Sequence, residues 1–245
     1  MTTTDRDSYL TSHIDPESDY LYRLYRATNI HTIHGRMASG HLQGRLLKML
    51  VHMIRPKNIL EVGTFSGYSA ICMAEGLEEN GKLYTYEIND EMEDFTRPWI
   101  EGSPVAGRID FRIGDAAEEA PKLGIVFDMA FVDGDKRTYT EVYEKILPII
   151  RPGGYILADN TLWDWHVIDP AYDHDAQTIG IRRFNDFIAN DNRVEKVILP
   201  LRDGLTLIRK KSLPHPRLKS RPLPPSKASP PTPLRMERGV ITDKD

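Results

Sequence analysis

Asp133, Gly134, Asp135 and Lys136 follow directly on four apolar residues, Met129 to Val132, so two carboxylates and an ammonium surface together at the end of a core-type segment. A second such delivery comes at "YILADN", where Asp159 and Asn160 end another apolar run. Asp133, Asp159 and Asn160 offer oxygen donors only. Two carboxylates with an amide suit Mg²⁺ or a similar hard cation that keeps positions open for water or substrate. Zinc spacing is absent, because the eight histidines are scattered and there is one cysteine. Lys136, three residues after a carboxylate, could take a proton from a bound acceptor. Each feature also has a plainer reading: a solvated turn at 133–136, a surface lysine at Lys136, and a helix cap at Asp159 and Asn160.

The segment "EVGTFSGYSA" (61–70) sets Gly63 and Gly67 between a strand pattern and a helix pattern. Phe65 stands where the second glycine of G-x-G-x-x-G would be, and no Gly-Lys-Ser/Thr follows, so neither pyrophosphate clamp is present. Glu61 closes one strand pattern and Glu87 the next, where an acid accepts hydrogen bonds from ribose hydroxyls. A ligand with an adenosine and a positive charge but no pyrophosphate fits such a mouth, and S-adenosylmethionine is one. Asp115 and Ala116, in "GDAAEEAP", could line the adenine edge. An NAD site and simple tight packing of the glycines are the alternatives.

The elements that must hold these residues can be read from periodicity. Helical patterns cover roughly 19–36 and 42–54, and strand and helix patterns then alternate: strands at 58–62, 82–87, 109–113, 129–133 and 155–159, helices at 68–75, 90–100 and 139–149. Arg-Pro-Gly-Gly at 151–154 reads as a turn. A helix near 178–189 precedes two strands, 194–199 and 205–210, joined by Asp203-Gly204 as a hairpin. The expectation is an α/β fold, a doubly wound, mostly parallel sheet with helices on both faces, closed by an antiparallel pair. Ligands of such sheets gather beyond the carboxyl ends of the strands, where Asp133 lies.

The 245 residues are 40% hydrophobic and 28% charged, the composition of an ordinary globular protein. No apolar run approaches the roughly 18–20 residues of a membrane span, and the N-terminus lacks a secretory apolar region. Cys72 lies in an apolar helical pattern and reads as a buried thiol in a reduced, cytoplasmic compartment. Residues 1–211 are expected to form one domain. Residues 212–245 hold eight of the 17 prolines and read as a disordered tail. The tail's seven basic and three acidic side chains give +4; taking 7 from 32 and 3 from 36 leaves 25 against 33, or −8, for the rest. A net acidic body argues against a broad nucleic-acid surface.

The motifs "LEVGTFSGYSA", "YEIN", "AFVDGDKRTY", "LADNTLW" and "FNDFI…LPLRDGLTL" occur in an order that resembles the metal-dependent class I O-methyltransferases, specifically the caffeoyl-CoA/catechol O-methyltransferase family and its bacterial members, over about residues 30–211. The resemblance implies a seven-stranded Rossmann-like sheet, a homodimer, and use of S-adenosylmethionine with Mg²⁺. It implies Asp133, Asp159 and Asn160 as metal ligands and Lys136 as the catalytic lysine. Met37, Glu61, Gly63, Ser69, Glu87, Asp115, Ala116 and Asp133 are implied as cofactor contacts. Trp163, Trp165 and His166 could wall the acceptor ring, or serve as core or loop aromatics. The acid that holds the second hydroxyl in animal catechol enzymes has no clear counterpart in "VEKVILPLRDG", nor are the plant thioester features recognisable. The expected acceptor is a small catechol-like molecule, with 5-hydroxyuridine in tRNA as the alternative and a non-catalytic or NAD-binding sheet below both.

Overall fold

A computed structural model describes residues 3–212. Of the tail expected at 212–245, all but Ser212 therefore lies outside the described residues. Three helices come first: α1 (Thr3–Ser12), α2 (Asp19–His31) and α3 (Gly40–Ile54). Then follow β1 (Asn58–Val62), α4 (Tyr68–Gly76), β2 (Lys82–Glu87), α5 (Glu93–Glu101), β3 (Ile109–Ile113) and α6 (Ala116–Glu119). The second half runs β4 (Phe127–Val132), α7 (Tyr139–Ile146), β5 (Ile150–Asp159), α8 (Ala176–Ala189), β6 (Val194–Leu199) and β7 (Leu205–Lys210).

The seven strands form one sheet in the order β3-β2-β1-β4-β5-β7-β6, parallel except for β7, which is antiparallel to both its neighbours. The chain winds outward from β1 to β3, returns, and winds the other way from β4. The reversal leaves a crevice between the carboxyl ends of β1 and β4, where ligands of such sheets bind. Period-two alternation sorts side chains onto the two faces. Ile59, Met129, Phe131 and Leu157 join the core under α2 to α4, whereas Leu60, Val62, Ala130, Val132 and Ala158 join the core under α7 and α8.

Two local expectations change, and one helix was not expected. The helix expected through residue 36 ends at His31; Thr32 is extended, and Gly35 opens a separate turn of 3-10 helix packed against Asn29, where a side chain would collide. Arg-Pro-Gly-Gly at 151–154 does not precede strand β5 but bulges from within it: Phe127 pairs with Ile150 and Met129 with Tyr155. The helix at Thr3–Ser12 ("TTDRDSYLTS") carries too few apolar residues to reveal itself by periodicity.

Candidate active site

The turn after β1 is built by backbone geometry. Gly63 has φ 95°, and a Cβ there would strike the Asp133 carbonyl oxygen, so the residue is glycine because β1 and β4 end against each other. Gly63 and Thr64 N–H both donate to the Tyr86 carbonyl (3.0 and 3.1 Å). Phe65 is left-handed at φ 47°. Its N–H donates to Glu87 Oε2 at 2.7 Å, while Asn89 N–H donates to Glu87 Oε1 at 2.9 Å. Glu87 thus clamps two turns at once and retains lone pairs on both oxygens. Gly114 N–H donates to the Glu87 carbonyl at 2.8 Å, bringing the 114–116 turn alongside.

Glu61 faces α4 because it shares the inward face of β1 with Ile59. It is fully buried and accepts from Ser69 Oγ and Thr85 Oγ1, both at 2.5 Å. Burial pushes its carboxyl up to about 8; the two hydroxyls pull the other way, and the Asp133 and Glu87 charges add to the rise.

The second half of the site stands at the ends of β4 and β5. Val132 pairs with Ala158, so Asp133 and Asp159 emerge on adjacent strands. Lys136 is buried; its Nζ donates to Asp133 Oδ1 at 2.6 Å and to the Tyr139 hydroxyl at 2.8 Å. The Tyr139 oxygen also lies 3.1 Å from the Val132 and Asp159 carbonyl oxygens, which fixes it to both strand ends. Asp159 is buried as well, and Gln43 Nε2 donates to its Oδ2 at 2.6 Å. Desolvation first, then the Asp133 carboxylate, pushes Asp159 above the usual carboxylate range, while Lys136 and Gln43 oppose the rise. Asn160, left-handed at φ 55°, turns its amide nitrogen toward Asp203 Oδ2 at 3.4 Å. Trp163 stands over the lysine, with Nζ 5.9 Å from its ring centre.

The structure brings together Asp133, Lys136, Asp159 and Asn160, and separately Glu61, Gly63, Ser69 and Glu87 around the neighbouring turn. Neither Asp159 nor Asn160 serves as a helix cap through its side chain. Asp115 does: it is exposed and accepts from Ala117 N–H at 2.8 Å, with Ala116 buried behind it. Met37 is 57% exposed on the short 3-10 turn Gly35–Met37. Trp165 is exposed, and His166 stacks on Tyr172 with ring centres 3.5 Å apart. Gln43, Tyr139, Arg202 and Asp203 are site residues that sequence reasoning missed. Gln43 carried a signal: it is the one polar member of the i, i+4, i+8 stripe Gln43, Leu47, Val51 that α3 buries. Among the described residues no group of three or more His, Cys, Asp or Glu side chains is arranged to hold a metal ion. The donor set here is two carboxylates and an amide.

The chain is thus a Rossmann-like doubly wound sheet with an acid-lined turn after β1 and, beside it, a carboxylate–lysine cluster beyond β4 and β5. Residues 11–211 match the model of a family described as O-methyltransferase. Tricin synthase 2 of Oryza sativa subsp. japonica is 36% identical over 206 residues, covering 79% of this chain and 70% of that protein. Caffeoyl-CoA O-methyltransferase of Mesembryanthemum crystallinum is 38% identical over 186 residues, 71% of this chain and 73% of that one. Among solved structures, the O-methyltransferase TomG of Streptomyces achromogenes, in complex with SAM, superposes with a TM-score of 0.79 at 30% identity, covering 86% of this chain and all (100%) of that chain. The Bacillus cereus O-methyltransferase in complex with SAH gives 0.76 at 29% identity, over 84% and 97%. The chain belongs to the O-methyltransferase family.

Proposed function

We propose that this protein moves the methyl group of S-adenosylmethionine to a hydroxyl of a small catechol-like acceptor whose vicinal oxygens are chelated by Mg²⁺. One observation carries the reading: Asp133 and Asp159 end neighbouring strands with Asn160 beside them and a buried lysine paired to the first. Asp133 lies close enough to raise the proton affinity of Asp159, so the two strand ends bring together acidic oxygens that a dication suits, and the all-oxygen set favours a hard ion. Asp133, Asp159 and Asn160 would hold it; with its nitrogen turned to Asp203, Asn160 has its amide oxygen left to offer. When bound, such an ion supplies positive charge that favours the deprotonated form of a phenol or enol hydroxyl.

In this reading Lys136 Nζ takes the acceptor's proton, held meanwhile by Asp133 Oδ1 and the Tyr139 hydroxyl. Trp163, stacked toward the lysine, walls the acceptor ring. Glu87 accepts the cofactor's ribose hydroxyls, and Glu61, Gly63 and Ser69 shape the turn against which the methionine end lies. Asp115 and Ala116 line the adenine edge, and Met37 lies by the methionine end. The bound cofactor would supply the methyl group from its sulfonium, and the residues named here would contribute mainly by positioning it against the acceptor. The SAM and SAH complexes of two relatives support the cofactor. The proposal extends to residues 1–211 as the catalytic domain, a cytoplasmic location and a homodimer, the last supported by the exposed apolar side chains Ile33, Met49 and Met53.

The test is transfer of labelled methyl to a catechol panel and to undermodified tRNA, with and without EDTA. Catechols should be methylated, and EDTA or Asp159→Ala should abolish transfer while leaving cofactor bound. Transfer indifferent to chelator refutes the metal role; methylation confined to 5-hydroxyuridine in tRNA moves the acceptor to the alternative.

A further inference from the structure

Arg202 sits in the turn between β6 and β7 with φ 49°. The left-handed region costs a non-glycine residue roughly 1–2 kcal/mol, and glycine is its usual occupant. Two residues on, Gly204 fills such a position at φ 91°, where a side chain would strike Leu162. Nothing in the turn's backbone calls for arginine at 202, so its side chain must account for it. That side chain leaves the hairpin and crosses to α3: Nη1 donates to the Ser39 carbonyl and, at 2.7 Å, to Gln43 Oε1. Gln43 is 1% exposed, and its other end donates to Asp159 Oδ2 at 2.6 Å. Both ends of a buried amide are therefore spent on one chain of contacts, guanidinium to amide to carboxylate. The next turn residue, Asp203, meets Asn160 at 3.4 Å. One turn reaches both residues at the end of β5.

We infer that Arg202 and Gln43 are positioning residues that fix the Asp159 carboxylate for the divalent cation, with the left-handed turn at 202 retained for that purpose. The inference rests on the metal reading above. Gln43 can present its N–H₂ to Asp159 only while its oxygen faces a donor, and Arg202 is that donor; with the guanidinium gone, the amide is free to turn over and set oxygen against oxygen. A carboxylate that loses its orienting partner binds metal about 10–100-fold more weakly, as is general for groups that support metal ligands. Neither residue touches the reacting atoms.

The experiment measures Mn²⁺ affinity by electron paramagnetic resonance on the full chain with S-adenosylhomocysteine present. Four variants accompany the wild type: Arg202→Gly, Arg202→Lys, Gln43→Leu and Asp159→Ala. Arg202→Gly suits the left-handed turn and should keep the unfolding midpoint, yet it and Gln43→Leu should weaken Mn²⁺ about 10-fold or more. Arg202→Lys should recover part of the loss, and S-adenosylhomocysteine affinity should stay within about twofold throughout. Wild-type Mn²⁺ affinity in Arg202→Gly and Gln43→Leu, with binding lost in Asp159→Ala, overturns the positioning role and leaves the metal reading intact. A wild-type chain that binds no Mn²⁺ overturns both. Parallel loss of Mn²⁺ and S-adenosylhomocysteine affinity in Arg202→Gly shows a general disturbance and also overturns the inference.

Discussion

Glu61 is a carboxyl group inside a core, and its surroundings decide its protonation. It lies on the face of β1 that packs under α4, accepts from Ser69 and Thr85, and has its pKa raised by burial from 4.5 to about 8. Between those values the folded chain holds a proton that the unfolded chain does not. The associated stability is fully present below pH 4.5, begins to fall above it, and is lost as pH rises through about 8. Glu61→Gln removes the titration and keeps the shape, since its amide oxygen accepts from one hydroxyl and its N–H₂ donates to the other, which turns to accept. The difference in unfolding free energy, variant minus wild type, should therefore grow in the variant's favour by up to about 1.4 kcal/mol per pH unit between these limits. Urea titrations of both proteins across pH 5–8.5 measure it; parallel pH profiles would show that Glu61 is ionised in the fold. The residue type and its place at a strand end were legible in the sequence. That its oxygens point at Ser69 and Thr85 was not, because the partners come from α4 and β2 and depend on register.

The turn between β1 and α4 shows why elements were easier to read than contacts. Strands β1 to β3 and β6 to β7 fall within the expected ranges, because the edge strand β3 alternates apolar and polar residues, β1 and β2 are short β-prone runs bounded by turn residues, and the Asp203-Gly204 turn announces a hairpin. The Arg-Pro-Gly-Gly bulge deceived, since a turn signal does not say whether pairing resumes on the same neighbour. Gly63 was expected as a cofactor contact, with tight packing as the alternative; in the structure it lets β4 end against it. Gly63→Ala joins a positive φ to a collision with backbone that cannot move without shifting Asp133. Overpacking of this kind costs about 1–3 kcal/mol, and the left-handed backbone about 1–2 more. Gly107 offers the control, with open space where its Cβ would be and an ordinary backbone, so Gly107→Ala should change stability by less than about 1 kcal/mol. Equal midpoints for the two variants in chemical denaturation would refute the steric account.

At the scale of the whole chain, charge and topology bear on the acceptor. The order β3-β2-β1-β4-β5-β7-β6 sets the turn after β1 beside the carboxylate–lysine cluster, and the adjacency of Asp133 and Asp159 was inferable because alternating β and α patterns leave few arrangements. Position within the sheet of the antiparallel pair, β7 inside and β6 at the edge, was not inferable, since a hairpin can add with either strand inward. Among the described residues the last backbone hydrogen bond of the sheet region is Lys211 N–H to the Arg193 carbonyl, and the family match also ends at 211. A chain cut after Ser212 should therefore keep its unfolding midpoint. Its rates separate the two acceptors. Residues 1–211 carry −8, and a phosphate-rich acceptor binds chiefly through Lys and Arg contacts that release counterions. With a small catechol-like acceptor, the truncated chain should match the full chain in kcat and KM at every salt concentration. With tRNA, the +4 of residues 212–245 would carry part of the binding, so truncation should raise KM and flatten its dependence on salt. Steady-state assays of both chains between 50 and 200 mM salt, roughly the range over which phosphate contacts weaken steeply, decide between them. A salt-dependent rise in KM on truncation would sink the small-molecule reading and leave the carboxylate–lysine site where it stands.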